Sequence, residues 1–283
     1  MTTPKPAVIA HRGFAGVYPE NTLTAFRSSA SQSETTMIEL DVQPAACGTP
    51  VVFHDNRLEG TRDGQPITDG EGVLWETSLE TLSKTRVLAT EESVPTLEAV
   101  FDALPSSIGV NVELKNPGSS SIQPGVNLEE AARDDQRALW EPFVERVVAD
   151  CDRFDGEVIF SSFCEGALAA ARNVAHEYPA ATLVWGDLEA GVEIARRYDC
   201  EAINLPRNAI TGTGLAGQSY AGLGDDEPSI DVLEIAHGEG RLVNVWTIDT
   251  WVQFEQLRVA GVDGIIVDYP GLDAGGSDSS LDS

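Results

Sequence analysis

Short apolar runs rich in β-branched residues recur at 7–10, 37–42, 109–114, 157–161, 182–186, 201–205, 242–246 and 263–267. Each is bounded by turn-forming or polar residues, the pattern of buried strands. Between most of them lie amphipathic stretches, among them "VNLEEAARDDQRALWEPFVERVVADC", "EGALAAARNVAHEY" and "TWVQFEQLRVAG". In the last, Gly261 is placed to stop a helix. Eight strands alternating with helices predict an α/β fold, a (β/α)8 TIM barrel.

A ninth apolar run, "PVVFHD", follows the second strand after only "VQPAACGT". That gap is too short for a parallel crossover. The chain is therefore expected to rise through 37–43, turn near Gly48 and return antiparallel through 50–54. Such a hairpin brings His54 back beside Glu39 and Asp41. The segment 56–108 is then an excursion between the second and third barrel strands, and 206–228, rich in glycine, is a lid candidate. We expect one barrel domain over 1–272, with an insertion at about 44–108 and a disordered tail at 273–283.

Composition narrows the partners. The chain has 46 acidic against 18 basic side chains, a formal charge of -28. Such a surface repels nucleic acid and anionic membranes, so neither nucleic acid nor a stable membrane association is expected. Only Lys5, Lys84 and Lys115 are lysines, and the acids are spread along the whole chain, as in a halophile's cytoplasmic protein. The N-terminal "MTTPKPAVIA" lacks the pattern of a secretory signal, and no apolar stretch approaches a membrane span. Cys47, Cys151, Cys164 and Cys200 form no Cys-x-x-Cys spacing, which points away from zinc and disulfides. A cytoplasmic location is expected.

Against that acidity, "AVIAHRGFAGVYPENTLTAF" puts His11 and Arg12 side by side at the end of the first strand. An imidazole beside a guanidinium suits an anionic group. Glu39 and Asp41 stand at i and i+2 in "MIELDV" and point to one side of their strand, as do Glu113 and Lys115 in "VNVELK". Carboxylates inside strands are costly unless paired or ligating. Glu39, Asp41 and Glu113 at strand ends offer hard oxygen ligands for Mg²⁺ or Ca²⁺. Lys115, retained where lysine is scarce, is a candidate phosphate contact, as is Arg12; pairing of Lys115 with an acid is the plainer alternative. His11 and His54 end strand-like runs and suit a base and an acid for phosphodiester cleavage. Glu20, Phe163 and Trp246 are candidates for the substrate pocket, with Trp246 equally suited to the core. In "PENT", Asn21 or Thr22 can cap the helix that follows. No Gly-x-Ser-x-Gly, Walker loop or dinucleotide fingerprint occurs.

Taken in order, "HRG" at 11–13, "PENT" at 19–22, "ELD" at 39–41, "HD" at 54–55, "PTLEAV" at 95–100 and "ELK" at 113–115 resemble the glycerophosphodiester phosphodiesterases. "SSF" at 161–163, "WT" at 246–247 and "GVDGIIVDYP" at 261–270 continue the resemblance to about residue 271. It implies a barrel of the phospholipase C-like phosphodiesterase type and hydrolysis of a small glycerophosphodiester to glycerol phosphate and an alcohol, within glycerol and lipid metabolism. It also implies metal ligation by Glu39, Asp41 and Glu113, acid/base work by His11 and His54, and phosphate contacts by Arg12 and Lys115. A neighbouring glycerol hydroxyl would attack phosphorus through a cyclic phosphate. After "HD" the chain reads "NRLEGTRDGQ", where the family usually carries a longer Leu-x-Arg-Thr-Thr pattern. Phospholipase D-like cleavage of lysophospholipids and a non-catalytic metal- or phosphodiester-binding barrel are the competing readings. The small, polar 206–228 loop disfavours the first and the full set of acids and histidines disfavours the second.

Overall fold

The computed structural model describes residues 5–273. The expected tail therefore lies outside the described residues, apart from Asp273. Eight parallel strands close into a barrel: β1 (Ala7–Ala10), β2 (Thr35–Pro44), β6 (Gly109–Leu114), β7 (Val158–Ser162), β8 (Ala180–Leu183), β9 (Ala202–Pro206), β10 (Leu242–Ile248) and β11 (Gly264–Val267). The first strand pairs with both β2 and β11, so no barrel edge is left open. One expected strand ends early: 182–186 gives way to β8, which stops at Leu183, and Trp185 stands 53% exposed beyond it.

Strand alternation sorts the residues. Along β2, Ile38, Leu40 and Val42 are fully buried in the layer between barrel and helices. The intervening Glu39 and Asp41 face the barrel interior. Register then sets neighbours: Glu39 pairs with Asn111 and Asp41 with Glu113. The outer layer is built from helices including α1 (Leu23–Ala30), α4 (Glu130–Cys151), α5 (Glu165–Val174) and α8 (Trp251–Ala260). The fourth helix buries Trp140, Phe143, Val144 and Val147, each contributing about 1.5–3 kcal/mol relative to exposure. It approaches α5 closely because Gly166 has no side chain; a Cβ there would stand 2.9 Å from that of Gln136. As expected, Gly261 ends α8 in the left-handed conformation.

The returning arm is present as β3 (Pro50–Val52), antiparallel to β2 with Val42 opposite Val52. The turn carries Gly48 at φ 81°. Beyond it, the excursion holds a short hairpin, β4 (Thr61–Arg62) and β5 (Gln65–Pro66), and the single-turn α2 (Leu79–Leu82). Leu58, Ile67, Leu74, Leu82 and Val87 gather with Val51 and Phe53 into an apolar cluster of their own. The next helix, α3 (Leu97–Ala103), belongs to the barrel layer instead: Leu97, Val100 and Phe101 join the main core. Thr96 caps it by accepting from the Ala99 N–H.

Between β9 and β10 lies α7 (Val232–Gly238), and α6 (Leu188–Arg197) follows β8. No helix among the described residues is long and apolar enough to cross a membrane.

Candidate active site

The site lies at the C-terminal ends of the strands, where barrel loops converge. The chain leaves β1 in one tight turn, His11–Gly13, with Arg12 at φ 48° and Gly13 at φ 79°. This turn aims the Arg12 backbone N–H at Glu39 Oε2, 3.0 Å away. Only glycine fits at 13, because a Cβ would meet the Ala25 Cβ of α1 at 2.9 Å. Thr22 is the cap of α1, accepting from the Ala25 N–H. Asn21 instead holds Asp41. Its Nδ2 donates to Asp41 Oδ2 at 2.8 Å and its Oδ1 accepts from the Asp41 N–H.

Glu39, Asp41 and Glu113 are all buried and each offers an oxygen within 4.8 Å of the others. Among the described residues, Glu39 Oε1 and Asp41 Oδ1 have no hydrogen-bond partner. Burial, reinforced by Asp41 and Glu113, pushes Glu39 well above the ordinary carboxylate range. Burial also raises Glu113, to about 7, against the pull of Lys115. For Asp41, burial is outweighed by the charges of Arg12 and Lys115, and the group sits below its ordinary value. The donor set is all carboxylate oxygen, partly orphaned and out of water. It fits a hard divalent cation.

Cations flank the trio. The Arg12 Nε lies 3.2 Å from Asp41 Oδ2, and the Lys115 ammonium lies 2.9 Å from Glu113 Oε1 and 3.5 Å from Asp41 Oδ1. Lys115 thus makes the acid pairing that is its plainer reading while still facing the cavity. His11 Nδ1 sits 2.6 Å from Asp268 Oδ1, and its Nε2 is 3.9 Å from Glu39 Oε2. His54, carried back by the β2–β3 hairpin, bonds through Nδ1 to Asp55 Oδ1 at 3.3 Å. Burial and the Arg12 charge lower its pKa to about 4, so it is neutral near neutral pH.

His11, Arg12, Glu39, His54, Glu113 and Lys115 share one cavity of about 550 Å³. Asp41 lies just beneath, fully buried. Phe163 and Trp246 form its wall, with ring centroids 5.6 Å apart. Glu20 does not line the cavity; it stands behind Arg12, which donates to both its oxygens at 3.2–3.3 Å. A smaller cleft of about 260 Å³ adjoins the first and shares His54, Glu113, Lys115 and Phe163.

Several other residues line the cavity without a sequence signal that marks them. Asp268 stands inside a motif but one residue past a strand, where aspartate usually serves a turn. Trp185 falls within an expected buried strand, yet it stacks 6.1 Å from Trp246. Tyr220 comes from the expected lid, 206–228: its hydroxyl accepts from the Thr247 N–H at 3.2 Å and Arg207 of the same loop covers its ring at 4.1 Å.

Comparison with known proteins gives a consistent likeness. The model of the glycerophosphoryl diester phosphodiesterase family matches residues 11–272. A glycerophosphodiester phosphodiesterase of Bacillus altitudinis is 27% identical, over 93% of this chain and 94% of that protein. One from Caldanaerobacter subterraneus is also 27% identical, over 94% and 95% of the two chains. Among solved structures, a phosphodiesterase of Oleispira antarctica, in complex with the product sn-glycerol-3-phosphate, is 25% identical with a TM-score of 0.69 over 94% of each chain. A second fold match, from Silicibacter pomeroyi, has a TM-score of 0.72 at 23% identity, over 95% of this chain and 92% of the other.

Proposed function

The chain belongs to the glycerophosphoryl diester phosphodiesterase family and is an enzyme of that activity, and on that premise we propose that it cleaves small glycerophosphodiesters with a divalent metal and two histidines. Glu39, Asp41 and Glu113 hold the metal, Mg²⁺ or Ca²⁺. When bound, it polarises the phosphoryl oxygens and offsets charge that develops on them. Arg12 and Lys115 take the remaining phosphate charge, a local need on a chain of formal charge -28. The sn-glycerol-3-phosphate held by the Oleispira antarctica relative supports a product of that class here.

Each histidine gives its Nδ1 to a carboxylate, Asp268 for His11 and Asp55 for His54. That leaves both Nε2 atoms for substrate. His54, neutral through burial, takes the proton of the attacking glycerol hydroxyl. His11, held through Nδ1 by Asp268, is placed to deliver a proton from Nε2 to the departing alkoxide. Phe163, Trp185, Tyr220 and Trp246 wall one ester arm. The acidic composition supports a salt-rich cytoplasm as the working medium.

One observation carries this reading: two members of a buried carboxylate trio with orphaned oxygens line a cavity, with Asp41 just beneath it, beside two carboxylate-bound histidines. The test is release of glycerol phosphate from glycerophosphocholine in concentrated KCl, with Mg²⁺, Ca²⁺ or a chelator, repeated on His11→Ala and His54→Ala. Metal-dependent release lost in either variant is the expected result. Release that survives both substitutions would put the chemistry elsewhere.

A further inference from the structure

The excursion's hairpin is anchored at its base by Leu58 and Ile67, but its own strands bury little. Thr61, Gln65 and Pro66 are not buried, and Asp63 and Gly64 at its tip both have positive φ, 50° and 81°. Among the described residues, Arg62 is the hairpin's hydrogen-bonded link to the site. The Arg62 Nη2 donates to Asp55 Oδ2 at 2.7 Å, and its Nη1 donates to Glu20 Oε1. Glu20 is also the partner of Arg12, and Asp55 is the partner of His54. A continuous chain therefore runs Arg12–Glu20–Arg62–Asp55–His54. Arg62 lines neither the main cavity nor the adjoining cleft.

We propose that Arg62 is a positioning residue, one guanidinium from the insertion that fixes Arg12 and His54 together by clamping the carboxylate behind each. The proposal rests on the acid/base reading of His54 given above. The geometry requires a fork: two nitrogens of one planar group reach two carboxylates on separate segments. A lysine offers a single ammonium and cannot span both in this way. With the fork gone, Asp55, whose side chain is 33% exposed, turns to water and no longer holds the Nδ1 proton of His54. Glu20 is left to Arg12 alone, and the guanidinium, still paired with Asp41, is backed by a carboxylate that is no longer fixed from behind. Neither change removes a group that touches substrate, so the loss falls on geometry in the transition state rather than on affinity.

The test compares wild type, Arg62→Ala and Arg62→Lys in KCl with divalent metal, using glycerophosphocholine. We expect kcat to fall by about 10- to 100-fold in Arg62→Ala while KM stays within about threefold. Arg62→Lys should recover only a minor part, and added guanidinium ion should restore Arg62→Ala more than it helps wild type. The ¹⁵N shifts of the His54 ring should report the Nδ1–H form in wild type and a shift toward Nε2–H in the variant. A raised KM at unchanged kcat would make Arg62 a substrate contact and overturn the proposal. Unchanged kinetics with an unchanged tautomer would overturn it as well. If wild type cleaves no glycerophosphodiester, the functional reading fails, and the tautomer comparison still decides whether Arg62 positions His54. Arg62→Lys keeps the charge, so it guards against a folding defect in Arg62→Ala.

Discussion

Asp268→Asn should cripple turnover with little cost to the fold. In the native site Asp268 Oδ1 accepts a hydrogen bond from His11 Nδ1 at 2.6 Å, with both side chains partly shielded at 18% and 27% exposure. A hydrogen bond to a charged group contributes about 1.5–3 kcal/mol, which converts to about 10- to 150-fold in rate if it is needed to hold the His11 ring in line with the departing alkoxide. Partial exposure places the loss of charge alone in the lower half of that range. The amide adds a second effect. Its NH₂ can donate to Nδ1, which leaves Nε2–H as the ring's only proton and makes the ring a far weaker acid toward the alkoxide. Asp268→Ala lacks that inversion, so it should be the less damaged of the two. The assay is glycerol phosphate release under saturating substrate, with KM and thermal unfolding measured beside it. A kcat for Asp268→Asn within about threefold of wild type, at equal stability, would refute the claim that Asp268 supports His11 in the transition state.

Other outcomes follow from the same geometry. Glu113→Gln should weaken Mg²⁺ or Ca²⁺ binding by at least about tenfold in titration calorimetry, and unchanged affinity would move the metal off the trio. The metal-free protein should lose stability as pH rises. The Glu113 pKa is lifted to about 7 in the fold, above its unfolded value, so its contribution is whole below about 4.5 and is lost through about 7. Across that window each unit removes up to about 1.4 kcal/mol, or roughly 3–5 °C in Tm. Saturating metal should abolish the slope, and a metal-free Tm that rises over the same window would contradict it. Gly13→Ala should cost about 2–3 kcal/mol in denaturant unfolding, since it adds a Cβ at φ 79° and 2.9 Å from Ala25.

Hydrophobic runs tell where strands form because their pattern is local, and the closed barrel follows from the alternation. The spacing of Glu39 and Asp41 tells which side they face, since strand alternation is equally local. Other features depend on how distant loops fold back. Asp268 meets His11 only through the pairing of the last strand with the first. Trp185 belongs to the cavity because β8 ends at Leu183, two residues short of it. Arg62, in the stretch that departs from the family pattern, reaches the site by a fork across two segments that no spacing rule links. Asn21, a candidate cap by its place in "PENT", bonds Asp41 instead, because its positive φ turns the side chain inward.

The pairing of β1 with β11 has a consequence for synthesis of the chain. His11 emerges early, and its carboxylate partner is 257 residues later in sequence. Every other strand must be made before the first can dock on the last. A ribosome-bound chain halted short of Asp268 holds the carboxylate trio and both histidines, yet lacks the group that bonds one of them. Activity thus becomes a timer for ring closure. Appearance of glycerol phosphate during refolding would lag behind the return of helical signal by the time the final strand takes to seat.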